Sequence, residues 1–334
     1  MPLETLDLST QTSPNLLKVE VTDRRAWLSV DVDPRSAIIT LNDDAIEETR
    51  QIVMEIQNNP LPLYLRSADQ FDMPQWRRTM CAAREMLKNG PGFTIIDRLP
   101  MDNFSEEDMK TVFWIVGQII GRTVAQKWDG TMLYDVSDTG QPFGYGVRGS
   151  YTNVELVFHT DNAFGVAPPE YVGLLCKYPA LRGGTSRFCS LYSVHNIMLR
   201  DHSRLLERLY RPMYFDRQAE HGPESPKTAF APFFAFDGKK LTARANVSLV
   251  RKGHALAGVD MDSELADAID AVERVSNRPE LWLELPIERG QLQYLNNIEL
   301  GHYRSHFEDN PEPARKRQLF RTWHRDWGAR TYDG

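Results

Sequence analysis

The chain is 334 residues long, 41% apolar and 25% charged, with a formal net charge of −7. These are ordinary proportions for a soluble globular protein of one large or two smaller domains. The acidic balance argues against a general nucleic-acid binder, and no run approaches the roughly 20 apolar residues that span a bilayer.

Residues 1–8 lack the basic and apolar regions of a secretory signal. The three cysteines, Cys81, Cys176 and Cys189, show no metal-ligand spacing. Cys176 and Cys189 fall in strand-like runs and read as small buried hydrophobes. The expectation is a reduced, cytoplasmic protein that acts on a small molecule, with neither nucleic acid nor membrane as partner. Homo-oligomerisation is left open.

Residues 1–16 are polar and aperiodic and read as a loose N-terminal tail. Short strand-like runs follow at 26–32 and 36–41. Asn42 is placed to cap a helix through about Asn58, with Ile46, Val53 and Ile56 inward and Pro60 beyond its end. Asp72 ahead of Pro74 reads as the N-cap of a second helix. There Trp76, Met80, Ala83 and Leu87 recur at helical spacing up to Gly90. A strand at 92–96 leads to Ser105 and Asp108, a capping-box pair that opens a third helix, ending at Gly121. This helix–strand–helix series is expected to pack against the outside of the main sheet.

From Met132 onward the pattern turns to β. Short runs at 132–136, 154–158, 171–177, 186–190, 230–236, 241–245, 282–285 and 291–295 are broken by Gly, Pro or Asp. Helices are expected near 191–209 and 263–275. Many short strands between turn signals suggest a sandwich or barrel.

Within residues 154–161, Val154, Leu156 and Val157 are strand formers, and alternation along a strand puts His159 and Asp161 on one side. An imidazole and a carboxylate at a strand end make two-thirds of a facial metal site, whose third ligand should be a histidine from a distant strand. Two histidines and one carboxylate suit a non-haem ferrous ion that must also bind a cosubstrate and oxygen. Taken alone, the His-x-Asp triplet reads as readily as an exposed turn or an ion pair. Residues 290–321 then give a strand, a histidine and closely spaced arginines. The cluster Arg315, Lys316, Arg317, Arg321 and Arg325 reads as a basic helix, with Arg315, Lys316 and Arg325 in solvent.

Several motifs together carry a family likeness: His159-Thr160-Asp161, Gly183-Gly184-Thr185-Ser186, Asn296-Asn297 and His302 with Arg304. Phe307-Glu308-Asp309 and Arg317 with Arg321 and Trp323 extend it. Over roughly residues 40–325 the chain resembles the taurine dioxygenase (TauD/TfdA-like) family of iron(II)- and 2-oxoglutarate-dependent oxygenases. The resemblance implies an α+β fold with a double-stranded β-helix (jelly roll) core, flanked by helices mainly from the N-terminal third. One oxygenase domain would cover 17–334, with the flank at 17–130 and the core at 131–334.

The resemblance also implies site residues. His302, rather than His306, aligns with the third ligand, so His159, Asp161 and His302 would be the metal ligands and the catalytic centre. Arg317 aligns with the guanidinium that meets the distal carboxylate of 2-oxoglutarate, and a planar fork suits that partner. Ser186 takes the position of the family's hydroxyl donor, with Thr185 an alternative beside it. Arg321 aligns with the position that meets the substrate's anionic group in taurine dioxygenase, and it could equally support Arg317. Tyr151, Asn153 and Glu155 fall in the segment that lines the substrate pocket, with Glu155 inward by period-two counting. Residues 140–149, rich in Gly, Phe and Tyr, read as a lid or as a plain connection.

The implied activity is hydroxylation of an unactivated carbon in a small, anionic or amino-acid-like molecule. It would use Fe(II), 2-oxoglutarate and O2 and release succinate and CO2. Related halogenases lack the carboxylate that Asp161 provides, so halogenation is not expected. Desaturation or cyclisation of a natural-product intermediate by the same cofactors is one alternative. A non-catalytic metal-binding jelly roll is the other.

Overall fold

The computed structural model of the chain describes residues 5–9, 15–142, 144 and 146–334. Helix α1 (Asp43–Asn58) begins where the Asn42 side chain accepts the Ala45 N–H, with Asp43 and Asp44 in its first turn. Helix α2 (Pro74–Asn89) is capped differently from the sequence expectation. Asp72 takes no part; the Glu48 carboxylate on α1 accepts the N–H groups of Gln75 and Trp76 at 2.8 and 2.9 Å. A tertiary partner thus replaces the local one, and it ties the two helices together. Helix α3 (Glu106–Gly117) starts at Ser105, as expected, but ends at Gly117 instead of Gly121. Met109, Val112, Phe113, Trp114, Ile115 and Val116 are all fully buried, so this helix is covered on every side.

Two sheets form the body of the molecule. Their strands, in chain order, are β1 (Ile38–Thr40), β2 (Phe93–Asp97), β3 (Arg122–Val124), β4 (Leu133–Ser137), β5 (Leu156–His159) and β6 (Tyr171–Tyr178). The later ones are β7 (Ser186–Ser190), β8 (Trp282–Leu285), β9 (Leu292–Asn296), β10 (Leu300–Arg304) and β11 (Gln318–Arg325). The seven-stranded sheet runs β1-β2-β9-β6-β11-β3, with β4 also on β11; the four-stranded sheet runs β8-β7-β10-β5.

Register assigns each side chain of the larger sheet to a face. Ile96, Leu292, Leu175 and Phe320 are successive cross-strand neighbours and pack under α2 and α3. One residue along, Ile95, Gln293, Leu174 and Arg321 form the next row, which faces the smaller sheet. Phe93 of the large sheet stacks on Phe188 of the small one, with centroids 5.0 Å apart and planes at 16°. Helices α4 (Leu191–Asp201), α5 (Ser203–Leu209), α6 (Val247–Ala257) and α7 (Ser263–Ser276) join the core that the small sheet shares with its surroundings.

Several expectations give way here. The N-terminal flank lies only partly outside the sheet, because β1 and β2 extend it. Part of the stretch read as a loose tail is ordered: Leu6–Asp7 pairs in parallel with Thr228–Ala231, and Leu8 is buried. Residues 26–32 form a 3-10 turn at Ser29–Asp31, since the Asp31 carboxylate takes the Leu28 N–H that a strand would need. The run at 230–236 splits around Pro232, which has no N–H for a ladder, and the helix at 191–209 breaks at His202. No basic α-helix forms at the C-terminus: Arg321 and Arg325 lie on a strand, Arg317 directly precedes it, and Arg315 ends a single 3-10 turn. Arg325 is buried, donating to the carbonyls of Thr331, Tyr332 and Ala167, whereas Arg315 and Lys316 are exposed.

Two fully buried histidines set an acid limit on this core. His324 sits between the Gly121 carbonyl and the Thr322 hydroxyl, and His195 meets the Tyr210 hydroxyl. Burial pushes each imidazole down to about 4. The unfolded chain takes these protons near pH 6.5 and the native chain only near 4, so stability falls as pH drops through that window. The loss is roughly 3 kcal/mol per histidine. Urea midpoints measured from pH 7 to 4 should fall accordingly, and the slope should be shallower in His324→Gln. An unchanged slope in that variant would refute the assignment.

Candidate metal centre

The site begins with one rung of the small sheet. His302 on β10 and His159 on β5 are directly opposite in register, and their rings lie 4.1 Å apart. The chain leaves β5 at His159. The Thr160 N–H then donates to the Ala245 carbonyl, and Asn162 takes a left-handed φ of 55° that turns the backbone away. Between them, Asp161 is clamped by Asn297: the Asp161 N–H donates to Asn297 Oδ1 at 2.7 Å, and Asn297 Nδ2 donates to the carbonyls of Asp161 and Pro169. The motif reading noted Asn297 without giving it a task. Its task is to place the carboxylate.

The Asp161 carboxylate is divided. Its Oδ2 accepts from Trp323 Nε1 at 2.8 Å and pairs with the Arg321 guanidinium at 3.1 Å. Its Oδ1 faces the histidines, 3.8 Å from His159 Nε2 and 3.6 Å from His302 Nε2. The three ligand atoms lie within 4.8 Å of one another. Burial would raise the Asp161 pKa, but Arg321 first and then the two imidazoles hold it well below the usual carboxylate range. Burial, with His302 adding to it, pushes His159 down to about 3, so its ring is neutral at pH 7. Its Nδ1 meets the Val157 carbonyl at 2.8 Å, which leaves Nε2 as a lone pair toward Asp161 Oδ1. The neutral His159 nitrogen, a second imidazole nitrogen from His302 and one carboxylate oxygen are a donor set that fits a divalent first-row metal.

A second buried feature fits an anion. Arg317 is 3% exposed and its Nη1 has no partner among the described residues; the guanidinium lies over the Phe307 ring at 4.9 Å. Burial lowers its pKa to about 10, so it stays charged at neutral pH. Ser186 begins β7 and donates across to Gln293 Oε1 on the large sheet, while the Thr185 backbone N–H donates to Ser305 Oγ. Arg321 supports Asp161 and donates to Gln126 Oε1 at 2.8 Å; it does not pair with Arg317.

A cavity of about 160 Å³ opens onto His159, Asp161 and Arg321. Of the three expected substrate residues ahead of the metal strand, only Glu155 lines it, with its carboxylate accepting from the Tyr303 hydroxyl. Tyr151 instead stacks on Tyr134, and the Asn153 carbonyl accepts the Phe307 N–H. Sequence reasoning missed Arg148, Gln218, Ser248 and Lys252 on the cavity wall. The last two belong to α6, a helix the pattern reading did not find. Of the stretch read as a lid, Phe143 and Tyr145 lie outside the described residues, and Arg148 is fixed by an ion pair to Glu220 at 2.5 Å.

Comparison with known proteins gives the family of the chain. The profile of the "Taurine catabolism dioxygenase TauD, TfdA family" matches residues 57–323. The chain belongs to the TauD/TfdA dioxygenase family. The resemblance read from the motifs is therefore borne out. Among curated relatives, FR-33289 synthase of Streptomyces rubellomurinus is 24% identical over 314 residues, covering 92% of this chain and 91% of that one. The taurine hydroxylase-like protein SAT17 of Stachybotrys chartarum is 23% identical over 321 residues, covering 90% and 79%. Among solved structures, an asparagine oxygenase complex with Fe(II), 3-hydroxyasparagine and succinate matches with a TM-score of 0.66 at 17% identity, covering 87% of this chain and 94% of that one. The non-haem iron oxygenase OrfP, in complex with Fe and alpha-ketoglutaric acid, matches with 0.62 at 14%, covering 87% and 94%. No helix among the described residues is long and apolar enough to cross a membrane.

Proposed function

We propose that this TauD/TfdA-family member is an iron(II)- and 2-oxoglutarate-dependent hydroxylase of a small anionic or amino-acid-like molecule. The observation that carries the reading is the convergence of His159 Nε2, Asp161 Oδ1 and His302 Nε2 in a fold that also buries Arg317, whose Nη1 has no partner among the described residues. Ferrous iron at this site would supply oxygen activation, coupling conversion of 2-oxoglutarate to succinate and CO2 with insertion of one oxygen atom into a C–H bond.

The chain's own residues do the rest. His159 and His302 would hold the metal through Nε2 and Asp161 through Oδ1, with Trp323 and Arg321 keeping the carboxylate from turning. Arg317 would hold the distal carboxylate of the cosubstrate. Of the two hydroxyls after Gly184, Ser186 faces the space between the sheets and is the one assigned to the cosubstrate side. Arg321, already engaged with Asp161, would meet the substrate from the cavity wall. Glu155, Arg148 and Lys252 put both signs of charge on that wall, which suits a zwitterion. The asparagine oxygenase and OrfP complexes hold hydroxylated amino acids, in support of that substrate class.

The proposal takes the two facing sheets as a double-stranded β-helix within one domain spanning 17–334. Free Cys176 and Cys189, buried with their thiols pushed up to about 12, support a reducing, cytoplasmic setting. The test is to load the protein anaerobically with iron(II) and 2-oxoglutarate, admit oxygen, and screen amino acids, sulfonates and other small acids. Accelerated succinate release with a product heavier by one oxygen is expected. Absence of any iron-dependent succinate formation would refute the reading, and a product short of two hydrogens would replace hydroxylation by desaturation or cyclisation.

A further inference from the structure

We infer that Gln293 is the neutral hydrogen-bond donor to the distal carboxylate of the cosubstrate, and that Ser186 serves to orient it. The inference rests on the iron and 2-oxoglutarate reading above and revises which side chain touches the ligand. Gln293 lies on the inner face of β9, in the same cross-strand row as Leu174 and Arg321, and is 1% exposed. Its Oε1 accepts from Ser186 Oγ on the opposite sheet at 3.2 Å. Its Nε2 is buried with no partner among the described residues.

Such an amide is unfavourable in a core unless something completes it. Its surroundings indicate what that is. Arg317 Nη1, Arg304 Nε and Arg304 Nη1 are likewise buried donors without acceptors among the described residues. Arg304 stands directly across the β7–β10 ladder from Ser186. A β-carbon at Gly184, two residues before Ser186, would lie 3.0 Å from Arg317 Nε. Ser186 holds the Gln293 amide, with Arg304 across the ladder from it and Arg317 beside Gly184 two residues earlier, and a carboxylate would satisfy that set of donors.

Proton counting separates the roles of Ser186 and Gln293. A serine hydroxyl has one proton to give, and a carboxamide nitrogen has two. With the Ser186 proton on Gln293 Oε1, the amide nitrogen remains to meet the ligand. The reverse amide orientation would turn a carbonyl oxygen toward a carboxylate, acceptor against acceptor. Ser186 is thus a positioning residue and Gln293 the binding one.

The test is calorimetric titration of 2-oxoglutarate into the anaerobic iron(II)-loaded protein, with thermal unfolding recorded in the absence of cosubstrate. A hydrogen bond to a charged group predicts that Gln293→Leu weakens binding about 10- to 100-fold. The same variant should unfold at an equal or higher temperature, because leucine removes the unpaired amide; a purely structural glutamine would show the opposite. Gln293→Glu should weaken binding further by repulsion, and Ser186→Ala should weaken it less than Gln293→Leu. Should the leucine variant fail to fold, Gln293→Met carries the same comparison. Wild-type affinity in a folded Gln293 variant overturns the inference. So does a larger loss in Ser186→Ala, which would return the donor role to the hydroxyl. Failure of the wild-type protein itself to bind 2-oxoglutarate refutes the underlying reading instead, whereas binding that Arg317→Ala weakens and Gln293→Leu does not refutes this inference alone.

Discussion

Asp161→Ala is expected to lower substrate-dependent succinate formation by more than about 100-fold, since loss of even an indirect metal-supporting group costs 10- to 100-fold. The change removes one of three candidate ligand atoms and the carboxylate that pairs with the buried Arg321 guanidinium, which keeps Gln126 and the Tyr134 and Trp323 rings beside it. Breaking a buried ion pair from one side costs about 3–5 kcal/mol, so the metal-free variant should also unfold at a lower temperature. Asp161→Asn separates the two effects. It keeps an oxygen for Trp323 and fills the same volume, yet lacks the charge that balances Arg321 and the metal. Both variants should lose iron(II) affinity by equilibrium dialysis while keeping a native far-ultraviolet circular dichroism spectrum. Turnover above a tenth of the wild-type rate in Asp161→Ala would remove the carboxylate from the ligand set.

Arg317→Ala is expected to raise the 2-oxoglutarate requirement by roughly 100-fold or more, since truncating one side of a buried charge pair costs about 2–5 kcal/mol. The substrate requirement should change little, because Arg317 is not on the cavity wall. A second consequence distinguishes a binding arginine from a structural one. Its Nη1 has no partner among the described residues, and burial lowers its pKa, so here the charge is a burden on the fold. Arg317→Met should therefore match or exceed the wild-type unfolding temperature without 2-oxoglutarate and gain less on adding it. An unaltered 2-oxoglutarate requirement in Arg317→Ala would overturn the assignment.

The parts of this architecture that were legible in the sequence are those governed by nearby residues. Asn42 and Ser105 announce α1 and α3 because an N-cap is a contact over three residues. His159 and Asp161 were legible as a pair because only two residues separate them, although the strand ends at His159 and Asn297, not strand alternation, places the carboxylate. β11 was misread because it is a central strand: Phe320 and Thr322 face the helices while Arg321 and Trp323 face the metal, so burial on both faces erases the period-two signal. The Glu48 cap, the Asn297 clamp and the Gln293 amide were invisible for another reason. Each depends on a partner 27 to 136 residues away, and no local pattern encodes it.

The opposition of His159 and His302 across one rung has a bearing on how the chain matures. A slip of β10 by a single residue would turn His302 to the far side of its sheet and leave His159 facing Tyr303 or Gly301. Such a mispaired chain could not grip a cation with three donors. Metal uptake would stabilise only the correctly paired molecules, so the ion would also act as a proofreader of strand pairing before it takes part in any reaction.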